Sequence, residues 1–271
     1  MNNRALLLAL LVAAPLAAQQ PAAAPDFRWE KALPAGSSVR LHNVNGDITV
    51  SPSASDRVEV IGIKRGSTRY RADVTLEVVE VTGGIMVCAM YRDADMRCDE
   101  DGYRVDRDRD RRRGRDDDDD WDRASIDVVV KLPRSATVSA STVSGDVDVT
   151  GAEGTVRGGS VSGDVRMSGL RAASVRGTSV SGNVNVGITA LTGEGELRFT
   201  SVSGDVTVEL PRALDADVSM RSVSGSLDSE YPLTLNGRVN RSSLDARIGK
   251  GGRELRVTTV SGDVTLRSIK Q

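Results

Sequence analysis

The sequence predicts an all-β chain folded as a solenoid, a single-stranded, β-helix-like stack of repeats about twenty residues long. Three observations lead there. First, one short phrase recurs seven times: VNGDITV (44–50), VSGDVDV (143–149), VSGDVRM (161–167), VSGNVNV (180–186), VSGDVTV (202–208), VSGSLDS (223–229) and VSGDVTL (260–266). From Gly145 the repeat glycines step by 18, 19, 22 and 21 residues to Gly163, Gly182, Gly204 and Gly225, then by 37, near two periods, to Gly262. Self-similarity at a period of this size marks a stacked array. Second, apolar and polar residues alternate: Val143, Gly145, Val147 and Val149 share one parity, while Ser144, Asp146 and Asp148 share the other. That is the period of a half-buried strand. Third, β-branched residues, Ser and Gly dominate beyond the N-terminus, and no long stretch sustains helical spacing.

One unit cannot fold alone. Ordering about twenty residues costs roughly 1–2 kcal/mol each, while three or four buried aliphatic side chains return about 1.5–3 kcal/mol apiece. Stacked units bury their apolar edges on one another, so stability becomes a sum of neighbour terms. Glycine inside a strand pattern marks a bend or a close approach of another backbone. The repeat glycines Gly46, Gly145, Gly163, Gly182, Gly204, Gly225 and Gly262 are therefore read as corners between strands. A compact antiparallel β-sandwich is the alternative fold, because Gly-Asp also closes hairpins.

Taken in order, the chain opens with MNNRALLLALLVAAPLAAQQ. Arg4, an apolar run and small residues at Ala17 and Ala18 read as a secretory signal peptide over 1–18, too short for a permanent anchor. A Pro/Ala-rich linker follows over 19–26, then a single β-repeat domain over 27–271. Within it, turn residues separate runs such as DRVEVIGIKRG and DVTLEVVEVTGGIMVCAMY, which read as strands. Residues 99–123 include DRDRDRRRGRDDDDDW, with almost nothing apolar to bury, and read as a disordered Asp/Arg-rich loop. Strand pattern resumes with IDVVVKLP. Pro133 and Pro211 close two strands in the same way. At the C-terminus Arg267 and Lys270 suit a terminal strand blunted by charge.

Bulk composition narrows the partners. Lys and Arg total 36 against 38 Asp and Glu, a net charge of −2, so no basic field recruits nucleic acid. Aromatics make up 3% of the chain, few for stacking on bases. No later segment is long and apolar enough to span a bilayer as a helix. Cys88 and Cys98 stand ten residues apart, and in an exported chain such a pair closes into a disulfide. A zinc site is the competing reading, but the chain has one histidine, His42, and no further thiol.

The candidates for chemistry all have a plainer account. Asp47, Asp146, Asp164, Asp205 and Asp263, with Asn183 and Ser226 in the same slot, offer one oxygen side chain per coil. Stacked, they invite Ca²⁺, yet the same residue types satisfy local backbone N–H groups at turns, which is the reading adopted. The Asp116 to Asp120 tract reads as solvated, and Trp121 beside it as a contact or edge-covering residue. His42 precedes the first repeat turn without a nucleophile-elbow motif nearby. IGKGGRE (248–254) has the glycines of a phosphate loop without the strand-loop-helix setting. No catalytic residue, metal or cofactor is assigned.

The phrases STVSGDV and LPRSATVSASTVSGDVDV, and the ending YPLTLNGRV…IGKGGRELRVTTVSGDVTL, resemble the adhesin-like β-strand-repeat family of bacterial exported proteins, related to the toast-rack domains of envelope-stress proteins. The resemblance spans the chain from about Phe27. It implies a right-handed β-solenoid, a periplasmic, outer-surface or secreted location, and no established catalytic residues. The expected function is thus a non-enzymatic, adhesin-like interaction module at the cell envelope, its partner an unidentified protein or polysaccharide. The alternatives are a periplasmic envelope-stress or scaffolding module and a polysaccharide-active β-helix enzyme. An enzyme predicts a groove with clustered carboxylates and Arg or Lys on one face, whereas a passive solenoid predicts charges scattered at turns.

Overall fold

Each repeat folds because alternate side chains point inward and the glycine turns the chain between two strands. Thr137–Ser144, for example, runs along one sheet, the chain bends at Gly145 and Asp146, and Val147–Thr150 runs along the other. Repetition of that coil builds two facing sheets, one of ten strands and one of eleven, in a computed structural model that describes residues 25–92, 96–100, 102–105, 124–236, 240 and 242–269. The signal and most of the linker expected at the N-terminus lie outside the described residues, as do the Asp tract and Trp121.

Neighbouring coils pair in parallel and in register, with Val147 opposite Val165, Val165 opposite Val184 and Val184 opposite Val206. The other sheet repeats this, with Val156 opposite Val175 and Val175 opposite Leu197. Inward rows of Val, Leu, Ile and Ala close one continuous core. Phe199 shares a row with Gly158 and Gly177; its ring packs into the space beside Gly177, and the Met167 methyl into the space beside both glycines. The two layers of the sandwich alternative are present, but these Gly-Asp pairs join strands of opposite sheets and close no hairpin.

The order of the coils departs from the order of the sequence. Along the stack the repeat glycines run Gly46, Gly145, Gly163, Gly182, Gly204, Gly262, Gly225. The C-terminal strands Arg253–Ser261 and Val264–Ser268 slot between those of the Gly204 and Gly225 coils. Arg267 therefore lies on an interior strand, not at a blunted end, while Lys270 is outside the described residues. Arg253 fastens the inserted coil by donating to the carbonyls of Ala173 at 2.6 Å and Gly195 at 2.9 Å.

Antiparallel pairing is found towards the ends. At one end Phe27–Ala32 pairs with Arg57–Arg65, which pairs with Ser125–Leu132, while Val74–Val81 pairs with Gly84–Tyr91. At the other, Ser243–Ile248 pairs with Ala216–Ser224. A single helical turn, Thr68–Arg71, interrupts the strands. Part of the stretch read as loop is ordered: Met96–Asp99 and Gly102–Val105 form a hairpin. Pro133 and Pro211 both sit where the chain leaves the ten-stranded sheet for the eleven-stranded one.

Candidate functional site

The corners are where the repeats touch most closely. Every repeat glycine has a positive φ, from 122° at Gly46 to 158° at Gly225. A Cβ on Gly163 would stand 2.0 Å from the Gly145 carbonyl oxygen. The same clash, at 2.0–2.3 Å, would set Gly145 against Gly46, Gly182 against Gly163, Gly204 against Gly182, Gly262 against Gly204, Gly225 against Gly262, and Gly46 against Ile126. Backbone conformation and backbone contact thus impose glycine together.

The residue after each glycine binds across coils. Asp47 Oδ1 accepts from the Asp146 N–H at 2.8 Å, Asp146 from Asp164 at 2.8 Å, and Asp164 from Asn183 at 2.7 Å. The series continues from Asn183 to Asp205, from Asp205 to Asp263 and from Asp263 to Ser226. The N–H groups satisfied belong to the adjacent coil, not to the residue's own turn. Burial raises the Asp146 carboxyl, but the Arg166 guanidinium and the Asp164 N–H outweigh it and hold it below the usual range. The Ser226 N–H and hydroxyl likewise lower Asp263. Arg166 bridges Asp146 at 2.5 Å and Asp164 at 2.6 Å. Among the described residues no three His, Cys, Asp or Glu side chains converge as a metal site.

A second series was not singled out from the sequence, although its signal is printed there: a hydroxyl three residues before the glycine. Ser160, Ser179 and Ser201 donate at 2.8 Å to the carbonyls of Gly145, Gly163 and Gly182. Thr142, Thr259 and Ser222 do the same toward Gly46, Gly204 and Gly262. Asn43 fills the slot in the first coil, donating to Ile126 O at 2.8 Å. These side chains are buried, so each bond satisfies a buried hydroxyl or amide and a half-buried carbonyl together. They also correct the predicted parity. Thr142 faces in and Val143 is 45% exposed, because the alternation of the first strand ends before the bend at Gly145.

The outward valines form a row: Val143, Val161, Val180, Val202, Val260 and Val223 are all exposed. Beside it on the eleven-stranded sheet run Thr178, Thr200 and Thr258, and then Arg157, Arg176, Arg198 and Arg256. One end of this face is covered by the Met96–Val105 hairpin. The Cys88–Cys98 disulfide ties it down, with Cα atoms 6.2 Å apart, and Tyr103 stacks on His42 at 5.6 Å between ring centroids. Burial and then Arg40 lower the His42 pKa, and burial pushes Tyr103 up to about 12. His42 Nδ1 lies 2.9 Å from the Ser141 hydroxyl. Two N–H groups of the 248–254 loop are engaged by carboxylates, Lys250 by Asp215 and Gly252 by Asp217, and the Gly251 N–H by the Ile248 carbonyl.

Comparison with known proteins follows from this architecture. The sequence profile of the toastrack family, DUF4097, matches residues 32–267. The chain belongs to that family. Two solved structures align with this toastrack chain. A candidate cell adhesion protein from Clostridium sporogenes ATCC 15579 is 10% identical, with 90% of this chain and 99% of that one covered and a TM-score of 0.49. A candidate adhesin from Bacteroides fragilis NCTC 9343 is 13% identical, with 93% and 100% covered and a TM-score of 0.36. None of the curated proteins matches the chain. No helix among the described residues is long and apolar enough to cross a membrane.

Proposed function

We propose that this toastrack protein is an exported, non-enzymatic, adhesin-like interaction module whose ranked outer faces are its contact surface. One observation carries the reading: the repeated side chains divide into two sets. Glycine, aspartate and the buried hydroxyl are spent on joints between coils. The outward Arg, Thr and Val recur at equal heights and take no part in those joints. A surface that repeats at each strand suits an extended, repetitive partner. The disulfide supports an oxidising compartment, as does the signal-like N-terminus. Four arginines are ranked on the eleven-stranded sheet, a flat face, while other charged pairs such as Arg166–Asp146 and Lys131–Glu59 lie on the ten-stranded sheet and its corners. An open depression of about 430 Å³ lies elsewhere, near Lys31, Pro34 and Gly84, with Lys31 the titratable side chain in its lining.

Labelling of intact cells with a membrane-impermeant amine reagent tests the reading. Modification before lysis is the expected result. Modification only after lysis would transfer the protein to the periplasmic scaffolding role.

A further inference from the structure

The joints account for the glycine, the aspartate and the buried hydroxyl of the repeats, but not for the arginine six residues before the glycine. Arg157, Arg176, Arg198 and Arg256 stand in register on four adjacent parallel strands. Buried neighbours on either side place all four on the solvent face of the sheet. Strands lie about 4.8 Å apart, so like charges recur at that spacing, an arrangement that destabilises a sheet by itself. Ser139 and Ser219 occupy the same row at its two ends and show that the fold does not require arginine there.

Counter-charge on this face is incomplete. Glu196 serves both Arg198, at 2.6 Å, and Arg176, at 3.5 Å, and Glu254 serves Arg256 at 2.6 Å. Arg157 has no ion pair among the described residues. Two residues along each strand, Thr178, Thr200 and Thr258 form a second row in register. Their hydroxyls make no side-chain hydrogen bond among the described residues. The exposed valines form a third row.

We propose that this face binds a carboxylate-bearing polysaccharide, a polyuronate, laid across the strands along the axis of the stack. The proposal rests on the reading of the ranked faces as the contact surface. Guanidinium groups donate to carboxylates in a two-pronged geometry. The threonine hydroxyls meet sugar hydroxyls, and the valine methyls meet the C–H faces of the rings. One strand spacing is close to the length of one sugar in an extended chain, so the carboxylates that face the sheet, every second or third along a twisting chain, fall opposite arginines of the row. Four arginines against two glutamates leave this face too weakly positive for a phosphate-dense nucleic acid. At the far side of Ser139 comes Arg40, and then Met86 and Cys88 beneath the disulfide-tied hairpin, which ends the face.

Titration of the whole protein with polygalacturonate tests the proposal, with dextran and polyphosphate as comparison polymers. Polygalacturonate is expected to bind, to weaken with added salt, and to lose about tenfold in affinity for each arginine removed in Arg176→Ser and Arg198→Ser. Arg267→Ser, on the opposite sheet, is expected to bind as the parent does. Thr200→Val with Thr258→Val is expected to weaken polygalacturonate and leave polyphosphate unchanged. An unchanged thermal midpoint shows that the variants are folded. Absence of polygalacturonate binding, equal binding by the arginine variants, or a preference for polyphosphate indifferent to the threonines would each overturn the proposal. A protein labelled on intact cells that ignores polygalacturonate removes this inference alone, whereas lack of surface labelling removes the broader reading.

Discussion

The middle of the stack and its disulfide-bearing end solve one problem by opposite means. From Thr137 to Leu210 each coil is held by a glycine contact, a side-chain oxygen on an N–H and a hydroxyl on a carbonyl, repeated with little change. Before Ser125 the chain uses antiparallel pairs, a hairpin, a disulfide, and one-off contacts such as the Tyr91 hydroxyl, which accepts from the Asn45 N–H and donates to the Asn45 carbonyl. A coil inside the stack is completed on both faces by copies of itself. A coil at the end has no such neighbour, so its exposed edge needs residues found nowhere else in the chain.

The largest test of that contrast is steric. Gly163→Val forces a side chain into the Gly145 carbonyl and is expected to cost more than about 4 kcal/mol, read as loss of cooperative unfolding. Gly36→Ala, at a turn with φ 78° and no atom within 4 Å of the new Cβ, is expected to cost about 1 kcal/mol. Next comes the staple. Cys88→Ser with Cys98→Ser is expected to cost about 3 kcal/mol or slightly less. Hydrogen exchange should show protection lost over Gly84–Tyr91 and kept over Val165–Ala172.

Smaller effects separate the two cross-coil bonds. Ser179→Ala removes a buried hydroxyl and leaves the half-buried Gly163 carbonyl without its donor, and is expected to cost about 1–3 kcal/mol in denaturant unfolding. Asp164→Asn is expected to cost less than about 0.5 kcal/mol, because Asn183 already makes the same bond one coil along. The aspartates also give a pH signature. The folded Asp146 and Asp263 carboxyls lie below their ordinary value. Their stabilisation is therefore complete above about pH 4 and is lost as pH falls through the folded values. Thermal midpoints measured across that range should fall on acidification, and less steeply in Asp146→Asn.

Much of this was legible in the sequence, because every copy must meet the same joint. Gly163 and Gly182 recur since any side chain there would strike backbone, and that constraint is visible as spacing. The place of the Gly262 coil was not legible. Copies that share a joint are interchangeable as neighbours, so their sequences do not state which sits on which. The aspartates suit their own turns equally well in sequence, since a cross-coil bond calls for the same residue types. Val143 was assigned inward by unbroken alternation, which the bend at Gly145 cuts short. The arginine row needed the register, for four arginines scattered over a hundred residues become a row only when the strands are aligned.

The inserted coil governs when the stack is finished. The Gly225 segment bonds to Arg253–Ser261, Val264–Ser268 and the Ser243–Ile248 strand, all made after it. As the chain emerges N-terminus first, the earlier coils find their seats in turn, while this one must wait, tethered and unseated, until the last residues arrive and slide in ahead of it. Completion of the stack therefore waits for Arg253–Ser268, and a chain broken off before Arg253 keeps an unclosed top.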